Sequence, residues 1–297
     1  MEFIYKCPVC GQKPVKVNKS LVCPQNHSFD FSGDGYVNLL PANQKNSKNP
    51  GDGTLMVESR KLFLEKGFYD PLSNQINNIA ANLLNAAVEN STGRDGGDSN
   101  RSRRFCILDV GCGVGFYSGK LYEALAIAGP EGRAEIYGID ISKPAIQKAA
   151  KNYPGINFCV GSSFHLPYLD ESFDFIFSIF SPFENKEMLR VLKPGGRILV
   201  VRPGENHLKE LAEIIYGKSG LRGKAPELAD ITGVSLVEES RLKYEIHLGS
   251  NEDIMNLVAM TPYYWHLNAD NKTALAGLSE LTASMDFQIS LFSKNSL

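Results

Sequence analysis

An α/β fold wound around a mostly parallel sheet, with a small metal-clamped piece ahead of it, is what this 297-residue sequence predicts. Three observations carry the expectation. Beyond residue 104, short apolar runs alternate with helix-sized segments, the pattern of βαβ units with helices on both faces. The first of these runs, Phe105–Val110, passes directly into a glycine-rich turn. The opening forty residues break the pattern: they are turn-rich, hold three of the six cysteines, and are too few to fold on burial alone.

Composition sets the outer bounds. A content of 43% hydrophobic and 22% charged residues suits a soluble globular chain and is too apolar for a disordered one. The formal charge of −2 excludes a uniformly basic protein that holds nucleic acid by bulk charge, but leaves room for a local basic patch. No apolar run approaches the ~20 residues of a membrane span. Met1–Lys6 lacks the charged head and apolar core of an export signal, so a cytoplasmic protein with no membrane partner is expected.

The chain divides into residues 1–40, 41–104 and 105–297. In the second piece, Pro41–Gly53 is polar and loop-like and Met56–Lys66 is helical. Leu72, Ile76, Ile79, Leu83 and Ala87 recur at steps of three and four, marking one face of an amphipathic helix. Asn90–Arg104 has no apolar residue and reads as a surface loop. Further strands are expected at Glu135–Ile141, Asn157–Gly161, Phe173–Phe180 and Gly196–Arg202, with a helix over Lys143–Asn152. A last strand pair, Arg241–Leu248 and Asp286–Phe292, flanks a helix starting near Asn251, whereas Glu210–Ser240 shows little pattern.

Two constellations carry chemistry. Cys7-Pro-Val-Cys10, a gap of twelve, then Cys23-Pro-Gln-Asn-His27 offers three thiolates and an imidazole, the donor set of a closed structural Zn²⁺ site. Metal binding would supply folding energy that so short a segment lacks. Lys13, Lys16 and Lys19 between the pairs are either phosphate contacts or a solvated face. Cys106, Cys112 and Cys159 read as small buried hydrophobes. Downstream, Asp109-Val-Gly111-Cys112-Gly113-Val-Gly115 opens a helix after a buried strand, where backbone can approach a ligand closely. Asp140, ending the next strand, is placed to accept both hydroxyls of a ribose.

The glycine spacing, with Asp directly ahead of it, resembles motif I of class I S-adenosylmethionine-dependent methyltransferases. Leu166-Pro-Tyr-Leu-Asp-Glu-Ser-Phe-Asp174 and Leu189-Arg-Val-Leu-Lys-Pro-Gly-Gly196 resemble later motifs of that group. In the N-terminal third, the cysteine pairs, Gly35-Tyr-Val-Asn-Leu-Leu-Pro41, Asn49-Pro-Gly-Asp52 and Phe63-Leu-Glu-Lys-Gly-Phe-Tyr69-Asp-Pro-Leu72 resemble the bacterial 23S rRNA guanine-N1 methyltransferases. So do Pro203-Gly-Glu-Asn-His207 and Met260-Thr-Pro-Tyr-Tyr-Trp265.

That resemblance implies a seven-stranded Rossmann-like sheet, S-adenosyl-L-methionine and Zn²⁺ as cofactors, a 23S rRNA hairpin loop as partner, and a homodimer. It implies cofactor or target-base contacts at Tyr69, Asp109, Gly111, Cys112, Gly113, Gly115, Asp140, Ser163, Phe183 and His207. Phe180-Ser-Pro-Phe183 lies where this fold places the acceptor base; Phe183 and Glu184 are the catalytic candidates, Glu184 as acceptor of the guanine N1 proton in competition with water and Asp174. A small-molecule methyltransferase of the same fold and a non-catalytic zinc-containing RNA-binding protein are the alternatives. On this reading, zinc removal abolishes RNA binding and spares cofactor affinity.

Overall fold

A computed structural model describes residues 3–44, 50–92, 104–128, 133–217 and 233–295. Its centre is an eight-stranded sheet in the order β10-β11-β9-β8-β5-β6-β7-β4. The strands are β4 (Val37–Asn38), β5 (Phe105–Val110), β6 (Ala134–Asp140), β7 (Asn157–Val160), β8 (Phe173–Ile179), β9 (Leu192–Pro203), β10 (Val234–Leu248) and β11 (Leu281–Lys294). All pair in parallel except β11, which runs antiparallel to both neighbours. Seven strands come from the region expected to supply them. The eighth, β4, is a two-residue addition from the N-terminal segment, too short to leave a period in the sequence.

Every residue of β5 is buried, as a central parallel strand requires. Strand order reverses between β5 and β8, so the carboxyl ends of these two strands frame the crevice where such sheets bind ligands. Helices α3 (Phe116–Ala128) and α4 (Lys143–Asn152) follow β5 and β6. The Ser142 hydroxyl caps α4 by accepting from the Ala145 N–H at 3.3 Å. Helices α1 (Thr54–Glu65) and α2 (Asp70–Thr92) pack on the same side.

Helix α2 departs from its expected form. It runs through Asn90 to Thr92, and residues 93–103 of the predicted loop lie outside the described residues. Its buried ridge is Leu72, Ile76, Ala80 and Leu84, with Ile79 and Leu83 half-buried and Ala87 exposed. A ridge of four-residue steps is the row that packs into a neighbouring helix. Buried Ser73 and Asn77 share that face, Asn77 donating to the Lys120 carbonyl of α3. Polar residues on the packed face hid it from the hydrophobic pattern. At the sheet edge, β10 is longer than expected because its first half is exposed and carries no apolar alternation.

The N-terminal segment has its own antiparallel sheet, β1 (Val15–Val17), β2 (Ser20–Val22) and β3 (Ser28–Asp30). It also completes the core on one sheet face, where Tyr5, Leu21, Val37 and Leu39 pack with Tyr137, Cys159, Tyr168 and Phe173. The Tyr5 ring stacks on Tyr168 at 5.5 Å and meets Tyr137 edge-on at 5.9 Å. Backbone bonds fix the contact: Lys6 N–H to the Pro167 carbonyl, Leu169 N–H to the Ile4 carbonyl and Leu39 N–H to the Val160 carbonyl, each 2.9 Å. Helix α5 (Asn185–Val191) covers the rest of this face through Met188 and Val191. On the opposite side lie α6 (Lys209–Tyr216), α7 (Asn251–Ala259) and α8 (Ala269–Ala276). Among the described residues no helix is long and apolar enough to cross a membrane.

Candidate active site and metal centre

Cys7, Cys10, Cys23 and His27 converge, their ligand atoms all within 4.8 Å of one another. Gly11, at φ +74°, turns the first knuckle back so that its N–H bonds the Cys7 carbonyl. The second pair is held by Cys23 N–H donating to the His27 carbonyl. Cys10 Sγ lies 3.5 Å from Cys23 Sγ, and His27 Nδ1 lies 3.3 Å from Cys23 Sγ and 3.7 Å from Cys7 Sγ. Ligands about 2.0–2.3 Å from a tetrahedral zinc stand roughly 3.5–3.8 Å apart, so two of these edges already have the dimensions of a Zn²⁺ cage and the Cys23–His27 edge is slightly shorter. All six cysteines are free thiols, and the other three are buried.

The candidate cofactor cleft lies at the switch point. Gly111, Gly113 and Gly115 all take positive φ, +77°, +54° and +77°. A Cβ on Gly111 would stand 2.0 Å from Ser181 Oγ, so the loop following β8 rests directly on the glycine turn. Gly115 needs its bare Cα for a different reason: a Cβ there would press on Ala149 and Phe158. Cys112 contributes its backbone N–H to the Ile139 carbonyl, while its thiol is buried under the loop and faces Gly138.

Asp140 accepts from Gly113 N–H at 2.9 Å and from Ser142 N–H at 2.7 Å. Burial raises its carboxyl above the usual range, opposed by those two bonds and by the Arg60 charge. Asp109, fully buried, is pushed up to about 7, first by burial and then by the charge of Asp140, against the hydroxyl of Ser118 at 2.5 Å. Asp109 therefore braces the loop from inside. Ser163 is half-buried beside exposed Phe164, one strand over, and its carbonyl accepts from Glu184 N–H.

A basket of rings closes the other flank. Phe180 meets Tyr69 edge-on at 6.5 Å, stacks near-parallel on His207 at 5.9 Å and tilts against Phe287 at 5.6 Å. Tyr69 is buried, and burial drives its hydroxyl pKa well up. Phe180 is 43% exposed and held at φ +54°, a left-handed conformation that bulky residues rarely adopt and that clusters at functional sites. Phe183 stands apart, packed against the opposite core with the N-terminal segment. Glu184 caps α5, its carboxylate accepting from Lys186 N–H at 3.3 Å. Asp174 binds Cys106 N–H and Lys193 Nζ at the other end of β8. That is roughly 20 Å of strand away from Phe180.

His207 Nδ1 accepts from the Asp286 N–H at 3.4 Å, which places the imidazole proton on Nε2. Burial lowers its pKa to about 4, with Asp286 pulling the other way. Unfolded, the ring titrates near 6.5, so the unfolded chain takes up the proton first and stability falls as pH drops from about 6.5 to about 4. Asp109 works in the opposite sense, losing stability as pH rises from about 4 through about 7. Urea unfolding of His207→Gln beside the parent across this window isolates the histidine. The parent should lose up to about 1.4 kcal/mol per pH unit more than the variant. Parallel curves would show that His207 is not the buried neutral base described here.

Two further motifs, Asn49-Pro-Gly-Asp52, whose Asn49 lies outside the described residues, and Met260-Thr-Pro, meet through Asp52 and Met260. Arg60 joins them. It pairs with the Asp52 carboxylate and donates to the Met260 carbonyl at 2.9 Å, while the Asp52 carbonyl accepts from Ser142 Oγ at 2.8 Å. Inside a helix pattern, Arg60 looked like any surface charge. Only the fold brings residues 52, 60, 142 and 260 together.

A glycine turn at the β5/β8 switch point, a carboxylate at the end of β6 bonded to that turn and a Cys₃His cage fit a class I S-adenosylmethionine-dependent methyltransferase bearing a zinc ribbon. Comparison with known proteins agrees: a methyltransferase domain model matches residues 102–249, and the model described as "RlmA, N-terminal" matches residues 5–48. The 23S rRNA (guanine(748)-N(1))-methyltransferase of Streptomyces fradiae is 30% identical over 96% of this chain and 95% of its own length. YxjB of Bacillus subtilis is 32% identical over 96% and 95%. Among solved structures, the [4+2]-cyclase SpnF is 20% identical with a TM-score of 0.42, over 73% of this chain and 82% of its own. The chain belongs to the 23S rRNA guanine-N1-methyltransferase family.

Proposed function

We propose that this enzyme transfers a methyl group from S-adenosylmethionine to N1 of a guanosine in a hairpin loop of 23S rRNA. The observation that carries the reading is the span of the likeness: it takes in the zinc ribbon as well as the catalytic domain. A small-molecule methyltransferase needs only the latter. The ribbon is the proposed RNA-contacting module, with exposed Lys13 ahead of β1, Lys19 on the β1–β2 turn and Lys16 seated over Phe3 and Phe31 at about 5.5 Å. A cytoplasmic setting and a homodimer belong to the same reading.

When bound, the cofactor supplies an electrophilic methyl group. The residues of this chain have three tasks around it. Asp140 and the glycine turn orient the ribose and the sulfur end, so that the methyl faces the switch point. Phe180 rather than Phe183 stacks on the extruded guanine, since it is the exposed ring beside the Gly111–Ser181 contact. Chemistry on N1 requires the base to leave any pairing, and an aromatic platform stabilises it once splayed out. Positioning at roughly 3–3.5 Å can then provide most of the rate. Glu184, which must release its helix cap to do so, is the proposed acceptor of the N1 proton.

Tritium-labelled cofactor and 23S rRNA lacking the modification test the proposal. Label should enter the RNA, and primer extension should stop at one guanosine, because N1 methylation blocks pairing. Label found only in metabolites, or RNA bound with no transfer, overturns it.

A further inference from the structure

We infer that Arg60 is the clamp for the carboxylate at the amino-acid end of S-adenosylmethionine. The inference rests on the cofactor class and not on the RNA substrate. With the ribose on Asp140 at the end of β6 and the methyl directed to the β5/β8 junction, the cofactor has to lie across the glycine turn. Its amino-acid end then projects over Gly111–Gly115 and carries a carboxylate that needs a cationic partner. A Cβ built on each of the three glycines meets Ser181, Arg60, and a group of Ala149, Phe158 and Tyr153; the only cation among these neighbours is Arg60, whose Nη1 would stand 3.7 Å from a Cβ built on Gly113.

The guanidinium is held there from two sides, by the Asp52 carboxylate on one nitrogen and the Met260 carbonyl at 2.9 Å on the other. Two of its five donors serve those bonds, and the side chain keeps 26% of its surface exposed. Its charge also reaches the cofactor cleft, where it favours the ionised forms of Asp140, Tyr69 and Tyr117. A fixed, partly open arginine over the middle glycine matches the planar fork geometry that carboxylates prefer. An arginine needed only to tie residues 50–53 to the end of α7 has no reason to face the glycine turn.

The test uses two ligands that share the adenosine and differ at the far end. S-adenosylhomocysteine carries the carboxylate; 5′-methylthioadenosine has no amino-acid end. Calorimetric titration of the whole zinc-loaded chain gives an affinity for each. Arg60→Met should weaken S-adenosylhomocysteine about 10- to 100-fold, the loss expected for a charge-assisted pair. Binding of 5′-methylthioadenosine should stay within about twofold. Asp52→Asn, which keeps the guanidinium, should preserve the ratio of the two affinities. Should Arg60→Met fold poorly, Arg60→Lys serves instead, lowering the ratio by a smaller factor because a point charge replaces the fork. Equal losses for both ligands, reproduced by Asp52→Asn, would make Arg60 a structural pin and overturn the inference; so would no loss for either.

Discussion

Replacing Cys23 by serine should remove the zinc, unfold the ribbon and weaken cofactor binding by at least about tenfold. The first two losses follow from size, because three strands of three residues have no core of their own, and structural zinc contributes roughly 10–16 kcal/mol to small metal-folded units. The third reverses the expectation drawn from sequence, where the ribbon was a separate head and cofactor affinity was to survive. The N-terminal segment grips the chain on both sides of residues 161–166, the loop that carries the cofactor-contact candidate Ser163. Before that loop, β4 pairs Val37 with Cys159 and Asn38 with Val160. After it, Ile4 and Lys6 bond Leu169 and Pro167, with the Tyr5 ring stacked between on Tyr168. Residues 161–166, which include Ser163, hang from these two anchors. Losing them lets the loop wander and leaves Tyr137, Tyr168 and Phe173 uncovered; re-exposing one such ring costs about 1.5–3 kcal/mol. Zinc content, circular dichroism and S-adenosylhomocysteine titration on the same sample check each link. A zinc-free variant that binds cofactor as tightly as the parent would show that the ribbon and the cleft are independent.

What was readable beforehand was whatever has a local signature. The Cys₃His cage, the glycine turn and Asp140 were found because each is a spacing or a strand end, and the structure puts the four zinc ligands in one cluster and the carboxylate on the glycine turn. Strands β5 and β8 stood out because both faces of a central parallel strand are apolar. The weld between ribbon and catalytic domain was invisible, since Tyr5 shows no sign in sequence that its partner is Tyr168. The ring basket was half-seen. Tyr69 and His207 were named through resemblance, but nothing in Phe180-Ser-Pro-Phe183 tells which ring turns outward. That choice is made by the left-handed kink at Phe180, a property of the backbone in its fold. Arg60 was missed for the same reason: its partners lie 8 residues before it and 200 after it.

Substituting Asp140 should separate affinity from stability more cleanly than any other change in the cleft. A carboxylate has about four acceptor positions. Gly113 and Ser142 occupy one on each oxygen, which leaves one on each oxygen for the two ribose hydroxyls. On the proposed placement of the cofactor, Asp140→Ala deletes both ribose bonds, and it frees the Gly113 N–H, so the turn loses its register as well. Two bonds to a charged acceptor are worth about 1.5–3 kcal/mol each, and a loss of about 10²- to 10⁴-fold in cofactor affinity is expected. Asp140→Asn should fall between parent and alanine, because its amide presents a donor where a backbone donor already points. The free protein should fare better: burial disfavours the Asp140 charge, and its removal also relieves the neighbouring Asp109. The melting temperature without ligand should therefore move by only a few degrees, as for a site built for a ligand at some expense of stability. A 2′-deoxyribose analogue of S-adenosylhomocysteine supplies the decisive comparison. The parent should bind it more weakly than the ribose form, and Asp140→Ala should no longer distinguish the two, since the group that reads the hydroxyl is gone. An alanine variant that still discriminates as strongly as the parent would place the ribose elsewhere, and the cofactor could not then lie across the glycine turn as described.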